Sequence, residues 1–202
     1  MGGFNLETKK LRKVDKFMQV KTLSNQINTS LWRSIAAIAV FTAITAVAAR
    51  ITINIGPVPI TMQPLAIVLS GLVLGARGGA LAQLTYVALI ALGLPLDANM
   101  KGSLVFFGPT AGYLLGFIPA AFVTGWLTEQ FALKSWWGHF LAATVGMMVI
   151  YLVGAPWLAL YLNSWSKAWT LGIFPFILFD LGKAVVAAGV AESGKYWLNR
   201  PQ

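Results

Sequence analysis

Cysteine is absent from the 202-residue chain, which excludes disulfides, thiolate metal sites and cysteine nucleophiles together. Acid is nearly as scarce, with six Asp and Glu against fifteen Lys and Arg, and there is one histidine. That residue, His139, has no second His or carboxylate at ligand spacing in the sequence, so it reads as a packing residue and no metal site is expected. A P-loop and a Gly-rich dinucleotide turn are also missing, and no motif supports a Ser-His-Asp site. The sequence therefore predicts no cofactor and no enzyme, and any uphill work must draw its energy from elsewhere. Charge in general is thin at 10% of residues, against roughly 25% in soluble domains.

Apolar residues fill the space left by charge. They make up 57% of the chain, with a mean hydropathy of +0.73, and they recur in long runs separated by short polar or Gly/Pro breaks. That pattern predicts an all-α integral membrane protein. Six transmembrane helices are expected, at about 31–49, 65–75, 80–92, 110–127, 137–161 and 172–191. Three regions follow: a basic extension over 1–30, a membrane domain over 31–192 and a short tail over 193–202. The triplet Ala46-Val47-Ala48 resembles a signal-peptidase site, but the polar region before it is long for a signal peptide and further spans follow, so a retained helix is expected.

The net charge of +9 reflects orientation and lipid contact, not nucleic acid. Lys9, Lys10, Arg12, Lys13, Lys16, Lys21 and Arg33 cluster ahead of or at the first span, where cations fix topology and meet anionic lipid. Arg77, Lys134, Lys195 and Arg200 fall on the same side of six spans, against Arg50, Lys101 and Lys167 on the other. The positive-inside rule then places both termini in the cytoplasm. The two irregular loops, 50–64 and 93–109, lie outside. The first reads as partly strand-like because of its prolines and alternating Ile, Thr and Asn residues. Ala76 to Gly79 is expected to form a tight turn, and 163–171 a plain link. Gly71/Gly75 and Gly112/Gly116 have GxxxG spacing, a mark of close helix packing.

The last span carries two charges where none is expected. Asp180 and Lys183 stand three apart, so a helix places them on one face. Intramembrane charges of this kind face a protein interior or a wet cavity. Asp180 supplies acceptors and Lys183 donors, a combination suited to a polar small molecule with N–H groups and a carbonyl or anion. Other candidates are Gln63 at the mouth of the second span, Tyr86 and Gln83 a turn apart on the third, and Asn99 and Lys101 in the second loop. Phe107, beside Phe106, and Tyr113 could wall an apolar pocket. Trp136, Trp137, Trp157, Trp165 and Trp169 flank span ends as anchors. On the first span, Ala39 and Ala43 form a small-residue stripe that lets another helix approach. Read this way, the pair marks a ligand receptor, an acid/base site of a small intramembrane enzyme, or a packing device of an assembly protein.

Several segments together resemble the BioY family, the biotin-capturing S components of energy-coupling-factor transporters. They are Pro57-Val-Pro-Ile-Thr-Met-Gln63, Gly71-Leu-Val-Leu-Gly75, Gly93-Leu-Pro95, Gly108-Pro-Thr-Ala-Gly-Tyr-Leu-Leu-Gly-Phe117 and Asp180-x-x-Lys183, spread over about 31–192. The resemblance implies a six-helix S-component bundle in the prokaryotic plasma membrane with an external biotin pocket. Its partners would be a transmembrane coupling subunit and a pair of cytoplasmic ATPases. It also implies that Asp180 and Lys183 contact biotin, and that Asn99 or Lys101 fills the family's loop-asparagine position. Leu114 stands where some members carry an arginine. Ala39 to Ala43 would dock the coupling subunit. An S component for another small vitamin is the alternative within the same fold.

Overall fold

The computed structural model describes residues 31–198; the basic extension, 1–30, lies outside the described residues, as do 199–202. Two compact units divide after Ala37. The first contributes to the described residues only the opening of helix α1 (Leu31–Ala48), and the second contains everything from Ile38 onward.

After α1 the chain forms a short antiparallel pair, β1 (Thr52–Ile53) and β2 (Ile60–Thr61), with Thr52 opposite Thr61. The strand-like character expected of this loop is therefore present. Helix α2 (Gln63–Ala91) follows, with a proline in its first turn, where the missing N–H costs nothing. Then come a 3-10 turn (Gly102–Phe107), α3 (Ala111–Gln130), α4 (Trp136–Leu162), α5 (Trp165–Gly172) and α6 (Phe174–Leu198).

Helix α2 is not one rod. Gly75 has φ 75° and ψ −177°, a conformation that glycine adopts without steric cost. The chain folds back there: the Gln83 amide donates to Ser70 Oγ at 3.1 Å, although thirteen residues of straight helix would separate them by roughly 20 Å. Gly79 lies so close to Gly71 that an added Cβ would stand 2.8 Å from the Gly71 Cα. The arms 63–74 and 76–91 thus form a hairpin. Glu129 at the end of α3 caps the second arm, its Oε1 accepting from the Ala76 N–H at 2.9 Å. This satisfies an orphan donor at a helix N-terminus with a negative charge. The turn expected over Ala76 to Gly79 is one residue earlier and much tighter, because Gly75 alone reverses the chain and Ala76 is already helical.

Five stretches among the described residues are long and apolar enough to cross a membrane: Leu31–Ala48, Gln63–Ala91, Ala111–Gln130, Trp136–Leu162 and Trp165–Gly194. Their surfaces are inverted relative to a soluble bundle. Helix α4 buries Ala142, Ala143, Gly146 and Ala159 while Leu152 and Leu160 are exposed. Helix α6 buries Ala184, Ala187 and Ala188 and exposes Phe174 and Leu178. Small residues let backbones approach where no hydrophobic force drives helices together, and large apolar ones face lipid. Close approach is extreme where α2 meets α3: a Cβ on Gly125 would be 2.3 Å from the Ala76 nitrogen. Gly112 and Gly116 pack against α4, whereas Gly75 is a turn residue rather than part of a stripe.

Two links are shorter or more ordered than expected. Ser135 caps α4 by accepting from the Gly138 N–H at 3.2 Å. The link 163–171 contains helix α5, capped by Ser164, which accepts from the Lys167 N–H at 3.3 Å. Ala168 and Gly172, one turn apart, face inward while Trp165 and Trp169 are exposed. Helix α6 continues past 191 to Leu198.

Candidate functional site

Asp180 and Lys183 share one face of α6, both buried, at 5% and 6% exposure. Lys183 Nζ donates to Asp180 Oδ1 at 2.6 Å. The second carboxylate oxygen, Oδ2, accepts from the hydroxyl of Tyr151 on α4. A buried ion pair repays its desolvation only with good geometry and further hydrogen bonds. Tyr151 supplies one from a neighbouring helix.

The pair lines a cavity of about 60 Å³. Both long loops line it: Val58, Pro59 and Thr61 come from the first, and Asp97, Ala98 and Asn99 from the second. Helices contribute Gln63, Tyr113, Leu114, Phe117, Ile150, Tyr151 and Phe176. A few polar groups among aromatic and aliphatic side chains match the make-up of small-molecule sites.

Of the residues singled out from sequence, the structure brings together Asp180, Lys183, Gln63, Asn99 and Tyr113 around this cavity. Tyr86 is fully buried but not among the lining residues. Its hydroxyl accepts from Gln63 Nε2 at 2.9 Å and donates to the Leu96 carbonyl at 2.9 Å. It therefore supports Gln63, whose Oε1 accepts from Thr61 Oγ1 at 3.1 Å. Lys101 and Phe107 are exposed and do not line the cavity; of the two loop candidates, Asn99 is the one at its wall. Tyr113 donates to the Gly172 carbonyl at 2.8 Å, joining α3 to the end of α5. Gln83 also donates to Thr45 Oγ1 at 3.2 Å, so it serves the helix bundle. Ala39 and Ala43 are exposed on α1, on a different face from Thr42 and Thr45, which are buried.

Tyr151 and Asp97 are among the lining residues that were not legible as site residues. Tyr151 stands in an apolar run with no charged neighbour in sequence; only its hydroxyl, which needs a partner when buried, hinted at one. Asp97 is 2% exposed. Its Oδ1 accepts from the Gly102 N–H at 2.8 Å and its Oδ2 from the Asn99 N–H at 3.1 Å, the second forming an Asx-type turn. Arg50, at the start of the first loop, donates to the Asp97 carbonyl and so ties the two loops together. The signal for this was an Asp two residues before an Asn and five before a glycine.

A larger groove of about 980 Å³ runs along α4, α5 and α6, sharing Tyr151 and Asp180 with the cavity. Its other walls are almost wholly apolar, among them Met148, Leu152, Ile177 and Trp169. Size alone does not make it the site, because a polar ligand would find few partners there. Elsewhere in the bundle His139, 1% exposed, lies with Nδ1 3.4 Å from Glu192 Oε2. The fold thus supplies the carboxylate neighbour that the linear sequence did not indicate. Among the described residues no group of three His, Asp or Glu side chains could hold a metal.

Comparison with known proteins bears on the family and the fold. The sequence profile of the BioY family matches residues 18–200, reaching into the basic extension beyond the 31–192 stretch of the resemblance. The biotin transporter BioY of Thermotoga maritima is 44% identical over 160 residues, covering 79% of this chain and 94% of that protein. The probable biotin transporter BioY of Pyrococcus horikoshii is 40% identical over 161 residues, with the same coverage of 79% and 94%. These relatives are named as transporters, not enzymes. Among solved structures, the crystal structure of the S-component for biotin from an ECF-type ABC transporter superposes with a TM-score of 0.78. It is 25% identical, and the match covers 84% of this chain and 94% of that one.

Proposed function

The chain belongs to the BioY family, and on that premise we propose that it is the biotin-capturing S component of an energy-coupling-factor transporter. The observation that carries this reading is the buried Asp180–Lys183 pair on the wall of a cavity lined by both long loops. Biotin presents two ureido N–H donors, a carbonyl, an apolar fused ring and a carboxylate tail. Asp180 accepts from an ureido N–H, and Lys183 donates to the carbonyl or the carboxylate. Gln63 and Asn99 add polar contacts, while Tyr113 and Phe117 cover the ring. Each polar group left unmatched in so dry a site would cost about 1–3 kcal/mol, which makes the site selective.

At about 60 Å³ the cavity is smaller than the roughly 300–1,000 Å³ of typical small-molecule sites. Ligand binding therefore requires the cavity to widen, and the two loops that line it are the elements proposed to shift. The Arg50 contact to the Asp97 carbonyl is the tie that must yield or shift with them.

In this reading the protein sits in the prokaryotic plasma membrane with both termini cytoplasmic. The two arms of α2 count as separate crossings, giving six. The chain carries no nucleotide-binding motif of its own, so a coupling subunit and a pair of cytoplasmic ATPases supply the energy. The exposed Ala39 and Ala43 dock the coupling subunit. Radiolabelled biotin binding to the purified protein, with unlabelled vitamins as competitors, tests the substrate. Competition by biotin alone is expected; saturable binding of another vitamin in its place would redirect the assignment within the same fold.

A further inference from the structure

We infer that Tyr151 is a positioning residue of the ligand site, holding Asp180 in the orientation that selects a ligand offering N–H groups. The inference rests on the biotin reading above. A carboxylate has about four acceptor positions. Lys183 takes one on Oδ1 and Tyr151 one on Oδ2, which leaves acceptor capacity on both oxygens for a ligand. The two partners come from different helices, Lys183 from α6 itself and Tyr151 from α4. The carboxylate plane is thereby fixed from both sides. With Tyr151 silenced, only the contact within α6 would remain, and the group could turn about its own side-chain torsion.

Tyr151 also stands in the wall shared by the cavity and the lateral apolar groove. Asp180 lines both as well, so the bond between the two side chains lies where the polar cavity meets the apolar groove. A purely structural tie between α4 and α6 is the competing explanation. It has less to do here, because these helices already meet through Ala143, Met147, Ala184 and Ala187 in one buried cluster.

Tyr151→Phe keeps the ring and removes one oxygen. Biotin and an analogue methylated at both ureido nitrogens are titrated into wild type and variant, and melting temperatures are measured without ligand. The expected result is an about tenfold loss of biotin affinity, little change in the weak binding of the methylated analogue, and a modestly lowered melting temperature, because the variant also takes one hydrogen bond from the buried pair. Unchanged biotin affinity would overturn the inference. So would a parallel loss for both ligands, which would mark Tyr151 as a structural tie. Failure of wild type to bind biotin is a separate outcome that removes the biotin reading itself, and this inference with it.

Discussion

At the residue scale, the Asp180–Lys183 pair is held by opposing terms of similar size. Each charge loses several kcal/mol of hydration on burial, and the 2.6 Å contact together with the Tyr151 bond offsets that loss. Neutralising one partner strands the other. Lys183→Met or Asp180→Asn alone is therefore expected to destabilise the protein by about 3–5 kcal/mol, while the double variant recovers much of the loss. Thermal unfolding in detergent checks this; additive losses in the double variant would contradict it. The pair was visible in sequence because charges inside an apolar run stand out whatever the fold. Asp97 was not, since an aspartate in a polar loop looks solvated until the fold brings the Gly102 and Asn99 amides to it. Tyr86 was seen but misplaced by one step, because its spacing from Gln83 could not show that its hydroxyl turns to Gln63 and Leu96.

At the scale of elements, the reversal at Gly75 decides how α2 and α3 pack. A side chain there would meet both a φ of +75° and Glu129 Oε1, 2.0 Å from the added Cβ. Gly75→Ala is expected to lower the melting temperature, with a cost of at least about 1–2 kcal/mol from the backbone alone. A variant as stable as wild type would show that the hairpin is not confined to this residue. Composition gave the apolar runs and therefore most helices to within a few residues. It could not locate the turn, since Gly75, Gly78 and Gly79 are alike in sequence and only Gly75 has a positive φ. The 163–171 link looked unstructured because it is short and holds two tryptophans. Its Ser164 cap and the inward Ala168 and Gly172 make it a helix lying on the bundle. On α1, Ala39→Trp is expected to abolish co-purification with a coupling subunit and leave biotin binding intact. Retained co-purification would place the docking surface elsewhere.

For the whole molecule, the exposed large side chains and buried small ones describe a body solvated by lipid, and in the proposed reading the charge distribution sets its direction. The lack of cysteine makes that direction easy to test. In intact cells, single replacements Lys101→Cys and Lys167→Cys should react with a membrane-impermeant maleimide, and Lys134→Cys should react only after lysis. Labelling in the reverse sense would invert the topology and close the cavity to the outside. The central claim is that this body receives biotin on its buried charge pair. It is tested most directly by calorimetric titration of biotin into the purified protein and into Asp180→Asn and Lys183→Met. The account predicts saturable heat with one site per chain in wild type and affinity lowered at least about tenfold in each variant. Equal affinity in all three proteins would contradict it.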